Sequence, residues 1–317
     1  MKSCGIHIGI LGLLLLCSCN HKELVFEIGN EITVNFDWSS APLASPNAMR
    51  LTVFNGDAQP VSFAAAGHQS VEVELMNGVY QFVAYNSDTE VLHTRGYNYE
   101  TFEIFTQEAE TSAFARLFNT RVALPRAKGT ESESFIEEPD PLWTSALGRI
   151  SVPNIPQITM PMKSAIIRYT FTVSNVENLD NVRSMAATIS GMSDSYYPSL
   201  GICSDTYCTI PFAMERDGET TITGTVRTFG YRTDDSGAGN NIHKLAIYVE
   251  TKEGEKVYYT FDVTNILDSA SEEISETGDA VIDVEINNLP IPEPIYNGSG
   301  LHPIVDKWQE VEIEIDL

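Results

Sequence analysis

Apolar and polar residues alternate with a period of two along most of the chain, the signature of strands with one buried face. In 31–38, Ile32, Val34, Phe36 and Trp38 fall on one face and Thr33, Asn35 and Asp37 on the other. Met49, Leu51 and Val53 alternate with Arg50, Thr52 and Phe54 until Asn55-Gly56 stops the run. Val71, Val73 and Leu75 alternate with Glu72 and Glu74, and Asn77-Gly78 then precedes an apolar run over 79–85. Asn-Gly between alternating runs predicts a hairpin, because both residues tolerate positive φ. Phe102 and Ile104 belong to a further strand, and 24–120 is enough for one small antiparallel sandwich.

The texture changes over 126–157. Acidic residues from Glu131 to Asp140 and four prolines break every period. Residues 142–147 suit a single helical turn, and the segment reads as a connection packed on a domain through Trp143 and Ile150. A second block begins at 158. Ile167, Tyr169, Phe171 and Val173 alternate, 221–229 is a Thr-rich strand, and Leu245, Ile247 and Val249 alternate up to a turn at Glu253-Gly254. Val257, Tyr259, Phe261 and Val263 return, and Ile282, Val284 and Ile286 follow. The chain closes with Val311, Ile313, Ile315 and Leu317 inward and Glu310, Glu312, Glu314 and Asp316 outward. A terminal strand of this kind either pairs in its own sheet or is available to a partner. About seven strands per block predict an all-β protein of two sandwiches in tandem: 19–125 and 158–317, joined by 126–157.

Ahead of the first sandwich stand basic Met1-Lys2, an apolar run over 8–16 too short to span a bilayer, and Leu16-Cys17-Ser18-Cys19. The run reads as an export signal occupying 1–18. Leu followed by two small residues and Cys resembles the lipobox of bacterial lipoproteins. That resemblance implies that Cys19 carries the lipid and becomes the first mature residue. Attachment through several acyl chains is firm, each buried CH₂ being worth ~0.8 kcal/mol.

The net charge is −25 over 317 residues. Such a polyanion repels nucleic-acid phosphates and anionic headgroups, so no nucleic-acid partner is expected. With Cys4 and Cys17 in the signal and Cys19 lipidated, only Cys203 and Cys208 remain. In an exported setting a structural disulfide between them is expected over free thiols, and a zinc site lacks two further ligands nearby. No Gly-rich nucleotide cradle, metal-ligand spacing or nucleophile elbow occurs, so no catalytic residue, metal or cofactor is assigned. Tyr196-Tyr197 and Tyr97 with Tyr99 are aromatic pairs in expected loops. They leave a glycan platform open beside the plainer reading of sandwich-edge packing. Asp268-Ser269-Ala270 resembles the Asp-(Ser/Thr)-small O-glycosylation site of exported Bacteroidales proteins, which makes Ser269 a candidate.

Several segments together carry a wider resemblance: Cys19-Asn20-His21-Lys22-Glu23-Leu24, Phe36-Asp37-Trp38 leading to Ala41-Pro42, Asn86-Ser87-Asp88-Thr89-Glu90, Ser190-Gly191-Met192-Ser193, Thr228-Phe229-Gly230 and Phe261-Asp262-Val263-Thr264. The set resembles a Bacteroidales lipoprotein family of unknown function, related to the lipid-anchored subunits of fimbrillin-like type V pili. The resemblance spans nearly all of the mature chain. It implies two transthyretin-like, Greek-key sandwiches held at the outer membrane and facing outward. It also implies fimbrial or other surface proteins as partners, joined by strand addition, with Val311, Ile313, Ile315 and Leu317 as the candidate partner strand. In that family the polymerising subunits lose an N-terminal strand to an arginine-specific protease. The stretch 20–38 holds no arginine, which favours an anchor or adhesin-like surface protein. The alternative function is a glycan-binding lipoprotein of a nutrient-uptake system.

Overall fold

The computed structural model describes residues 29–109, 118, 124–153, 156–232, 242–271, 281–294 and 307–313. Within them lie β1 (Asn30–Asp37), β2 (Ala48–Phe54), β3 (Val61–Ala66), β4 (Ser70–Leu75), β5 (Gly78–Asn86), β6 (Leu92–Arg95), β7 (Glu103–Thr106), β8 (Ser134–Phe135), β9 (Trp143–Val152), β10 (Gln157–Pro161) and β11 (Lys163–Ser164). They continue as β12 (Ile167–Glu177), β13 (Val182–Ser193), β14 (Ser195–Tyr197), β15 (Ile202–Cys203), β16 (Tyr207–Ala213), β17 (Glu215–Arg216), β18 (Ile222–Thr228), β19 (Lys244–Thr251), β20 (Lys256–Asp262), β21 (Val281–Pro290) and β22 (Gln309–Ile313). One α-helix, α1 (Thr264–Ser271), follows β20. The all-β expectation holds.

The first sandwich packs a sheet ordered β10-β1-β4 on a sheet ordered β11-β9-β5-β2-β3. Ile32, Val34 and Phe36 of β1 meet Met49, Leu51 and Val53 of β2 and Phe82 of β5 in one buried cluster. This is the face that the alternation marked, and each such side chain contributes ~1.5–3 kcal/mol through burial. The expected Asn77-Gly78 hairpin is not made. β4 pairs with β1 while β5 pairs with β2 and β9, so the chain crosses from one sheet to the other at that point. β4 extends the β1 sheet with Val71, Val73 and Leu75 packed against the facing sheet, and that packing overrides the turn preference. Hairpins form elsewhere, among them β2–β3 and β19–β20. The β19–β20 hairpin turns at Gly254, whose φ of 88° suits glycine.

The segment 126–157 differs most from expectation. Residues 143–152 form β9, a ten-residue strand antiparallel to β5, not a helical turn in a connection. Ile158 does not open the second sandwich. It lies in β10, parallel to β1, with Val34 opposite Ile158. The first sandwich is therefore completed by strands from the middle of the chain.

The second sandwich packs a sheet ordered β17-β18-β12-β21 on one ordered β22-β20-β19-β13-β16-β8. Tyr169, Phe171 and Val173 face Leu245, Ile247 and Val249 across the core. The outer face of the larger sheet is covered as well. Ala246, Tyr248 and Tyr258 are buried beneath Phe118, Leu124, Phe135 and Trp308. Residues 124–136 form a strap held at several points. The Tyr248 hydroxyl donates to the Pro125 carbonyl at 2.7 Å. The Glu133 carboxylate accepts the Gly191 N–H at 3.1 Å and the Thr209 hydroxyl at 2.7 Å. Arg126 is half-buried, with its guanidinium 3.4 Å from the Phe135 ring centroid.

Candidate partner edge and sandwich junction

β6 and β7 come from the first half of the chain and β14 and β15 from the second, yet the four share one sheet, ordered β15-β14-β7-β6. Ser195 pairs with Phe105 and Tyr196 with Ile104 across the modules. Around this sheet Phe54, Tyr85, Phe102, Ile166, Tyr196 and Phe229 make a junction core. A polar network closes it. Arg95 donates to both Glu103 oxygens, at 2.5 and 2.8 Å. The Ser195 hydroxyl also donates to Glu103, and Ser204 donates to Asp194 at 2.5 Å. Burial pushes the Glu103 carboxyl upward, but the Arg95 and Ser195 bonds outweigh it and hold the group below its ordinary range. Sequence patterning gave no sign of this cluster, because its members are scattered over a hundred residues.

The terminal strand pairs within its own sheet. β22 runs parallel to β20, with Val311 opposite Tyr259 and Ile313 opposite Phe261. Val311 and Ile313 are partly buried against the main core, as their alternation predicts. Ile315 and Leu317 lie outside the described residues. β22 is the last strand of its sheet, so its other edge has no strand partner among the described residues. β18 packs over β13 and β16, which places β21, the edge of the facing sheet, on the same side as β22. Trp308 anchors the approach to β22. It is buried, with ring centroids 5.0 Å from Phe118 and 5.4 Å from Tyr248, both edge-on. Sequence reasoning missed Trp308, although an isolated tryptophan before an alternating run was a usable signal.

The remaining candidates fall apart spatially. Cys203 and Cys208 are free thiols, so the expected disulfide is not formed. Cys203 sits in the junction sheet and donates to the Phe229 carbonyl at 2.8 Å. Cys208 sits in the six-stranded sheet and donates to Met192 at 3.1 Å. The strands carry the two sulfurs into different cores. Burial pushes Cys203 up to about 12, and Cys208 up as well. Tyr196 is buried in the junction, its hydroxyl pushed up to about 12 by burial. Tyr196 thus packs into the junction, while Tyr197 is partly exposed. Tyr97 is 73% exposed, while Tyr99 packs edge-on against Phe54 at 5.9 Å. Ser269 is exposed on α1 and donates to the Asn265 carbonyl at 2.8 Å. Cys19 lies outside the described residues. Among the described residues no cluster of His, Cys, Asp and Glu is placed to hold a metal, and no helix is long and apolar enough to cross a membrane.

These features define an all-β protein of two sandwiches locked through a shared sheet. The chain belongs to the family described as a domain of unknown function, DUF5119, whose model matches residues 18–213. No curated protein sequence matches it. Among solved structures it is similar to a candidate adhesin from Bacteroides ovatus, with a TM-score of 0.59, 20% identity, and 84% of this chain and 94% of that one covered. It is also similar to the fimbrial anchor protein Mfa2 from Porphyromonas gingivalis, with a TM-score of 0.52, 12% identity, and 82% and 90% covered. A candidate polysaccharide-binding protein from Bacteroides thetaiotaomicron gives a TM-score of 0.51 at 14% identity, with 81% and 90% covered. At these identities the likeness establishes the shared fold.

Proposed function

We propose that this is a non-enzymatic cell-surface lipoprotein, a fimbrium-associated anchor or adhesin-like subunit, that grips protein partners by strand pairing. The observation that carries the reading is the placement of β22: the terminal strand ends its sheet, with one edge unpaired among the described residues. Main-chain hydrogen bonds along such an edge supply affinity, and alternating side chains supply selectivity. The outward Glu310 and Glu312 discourage indiscriminate edge-to-edge association. Two of the fold's relatives, a candidate adhesin and a fimbrial anchor, fit the same role. In this reading Cys19 bears the lipid that holds the protein at the outer membrane, facing outward. The stretch 20–38 offers no arginine for removal of the first strand, which suits an anchor and not a shaft subunit that surrenders it.

The test is deletion of residues 310–317 in the producing cell. A photo-crosslinker at position 312 of the full chain should capture another exported protein, and the deletion should abolish its recruitment while the thermal melt persists. A truncated chain that unfolds, or one that still recruits the partner, refutes strand pairing at this edge. Mass spectrometry showing an unmodified Cys19 thiol refutes the lipid anchor.

A further inference from the structure

A cleft of about 400 Å³ opens between the sandwiches. Leu43, Pro141 and Trp143 line it from the first sandwich and its connections, and Arg168, Arg227 and Val281 from the second. Arg168 of β12 and Arg227 of β18 stand directly opposite each other on adjacent antiparallel strands. Like charges so placed repel. One carboxylate, that of Glu138, accepts from the Arg227 Nε at 2.9 Å and from its backbone N–H at 3.1 Å. Arg168 is exposed and has no ion-pair partner among the described residues. In a chain with 19 basic and 44 acidic residues, this places two arginines at one small opening, with Glu138 on Arg227 and Asp283 of β21 at the diagonal position from Arg168. The rim of the opening is apolar: Leu43 is 89% and Val281 53% exposed.

We propose that this cleft binds an acidic sugar unit, a hexose ring carrying a carboxylate. Guanidinium forks match the planar carboxylate and bind it with charge-assisted hydrogen bonds. The C–H face of the ring covers Leu43 and Val281, and its hydroxyls remain toward solvent. The volume accommodates about one or two rings, at the small end of ligand pockets. An extended acidic peptide would leave most of its length outside. The inference goes beyond the strand-pairing reading and does not depend on β22, so either can fail alone.

The test is calorimetric titration of the purified full-length protein with digalacturonate, its neutral counterpart digalactose, and a short glutamate-rich peptide. Digalacturonate should bind with an affinity that falls as salt is raised, and digalactose should bind at least tenfold more weakly. Arg168→Gln, an exposed substitution that leaves the thermal melt unchanged, should weaken digalacturonate binding about tenfold or more. Leu43→Ser should weaken it severalfold without altering the salt dependence. The proposal is overturned by equal binding of the two sugars, by an Arg168→Gln variant that binds as well as the parent, by binding of the peptide alone, or by no sugar binding at millimolar concentration.

Discussion

Replacing Trp308 by alanine tests whether the terminal strand is a separable unit. Trp308 is 7% exposed and contacts Phe118 and Tyr248 edge-on. Truncating a buried tryptophan costs ~3–5 kcal/mol through lost burial and the cavity left behind. Because Trp308 stands next to β22, which pairs on one side only, the loss should fall on strand docking and not on the global fold. At 1.4 kcal/mol per factor of ten, amide protection over 309–313 and at the amides of β20 that face it should drop by about two to three and a half orders of magnitude. The β1 amides, between β4 and β10 in the other sandwich, should keep theirs. Hydrogen exchange read by mass spectrometry resolves the two regions. Trp308→Phe is the control. The buried indole N–H has no partner among the described residues, so phenylalanine keeps much of the packing and should retain most of the protection. Unchanged exchange at β20 and β22 in the alanine variant, or a loss spread evenly over both sandwiches, refutes the reasoning.

Three further outcomes are expected. Glu103→Gln should lower stability at neutral pH by about 1–2 kcal/mol, below the full cost of a buried pair because Arg95 is half exposed. Since Glu103 is held below its ordinary range when folded, its contribution is complete above the unfolded value near ~4.3 and fades as pH falls below it; the parent and variant melting curves should therefore converge in acid, and parallel curves refute the assignment. Gly191→Ala should cost about 1–3 kcal/mol in thermal denaturation, since its φ is 77° and an added Cβ would stand 2.7 Å from the His243 Nδ1. Cys203 and Cys208, their thiols pushed up by burial, should resist alkylation at pH 8 until the protein is unfolded, when both should react; a disulfide in the purified protein would leave neither to react.

Much of the strand inventory was legible because each sandwich buries one face of most strands. Ile32, Val34 and Phe36, or Tyr169, Phe171 and Val173, declare their faces by period alone. Pairing was far less legible. Nothing local in Gln157 to Pro161 says that it lies parallel to β1, more than a hundred residues earlier. β9 was hidden because its burial pattern is irregular and β5 breaks register opposite it between Tyr80 and Phe82. Ala246, Tyr248 and Tyr258 looked outward-facing because the strap that covers them comes from a segment without period. The candidate edge could be read from Val311 and Ile313, whereas the Arg168–Arg227 pairing needed the register of β12 against β18. The disulfide expectation failed because closeness along the chain did not reveal that two strands part between the cysteines.

β1 pairs with an antiparallel neighbour, β4, over 30–35 and with a parallel one, β10, over 33–37, so both flanks are held at 33–35. A pull arriving at Gly29 acts along the strand axis, so the rungs on both flanks share the load and shear together instead of peeling one by one. Resistance to extraction then depends on the rate of that concerted rupture, not on equilibrium stability. A molecule arranged this way meets a tug on its amino-terminal end in shear.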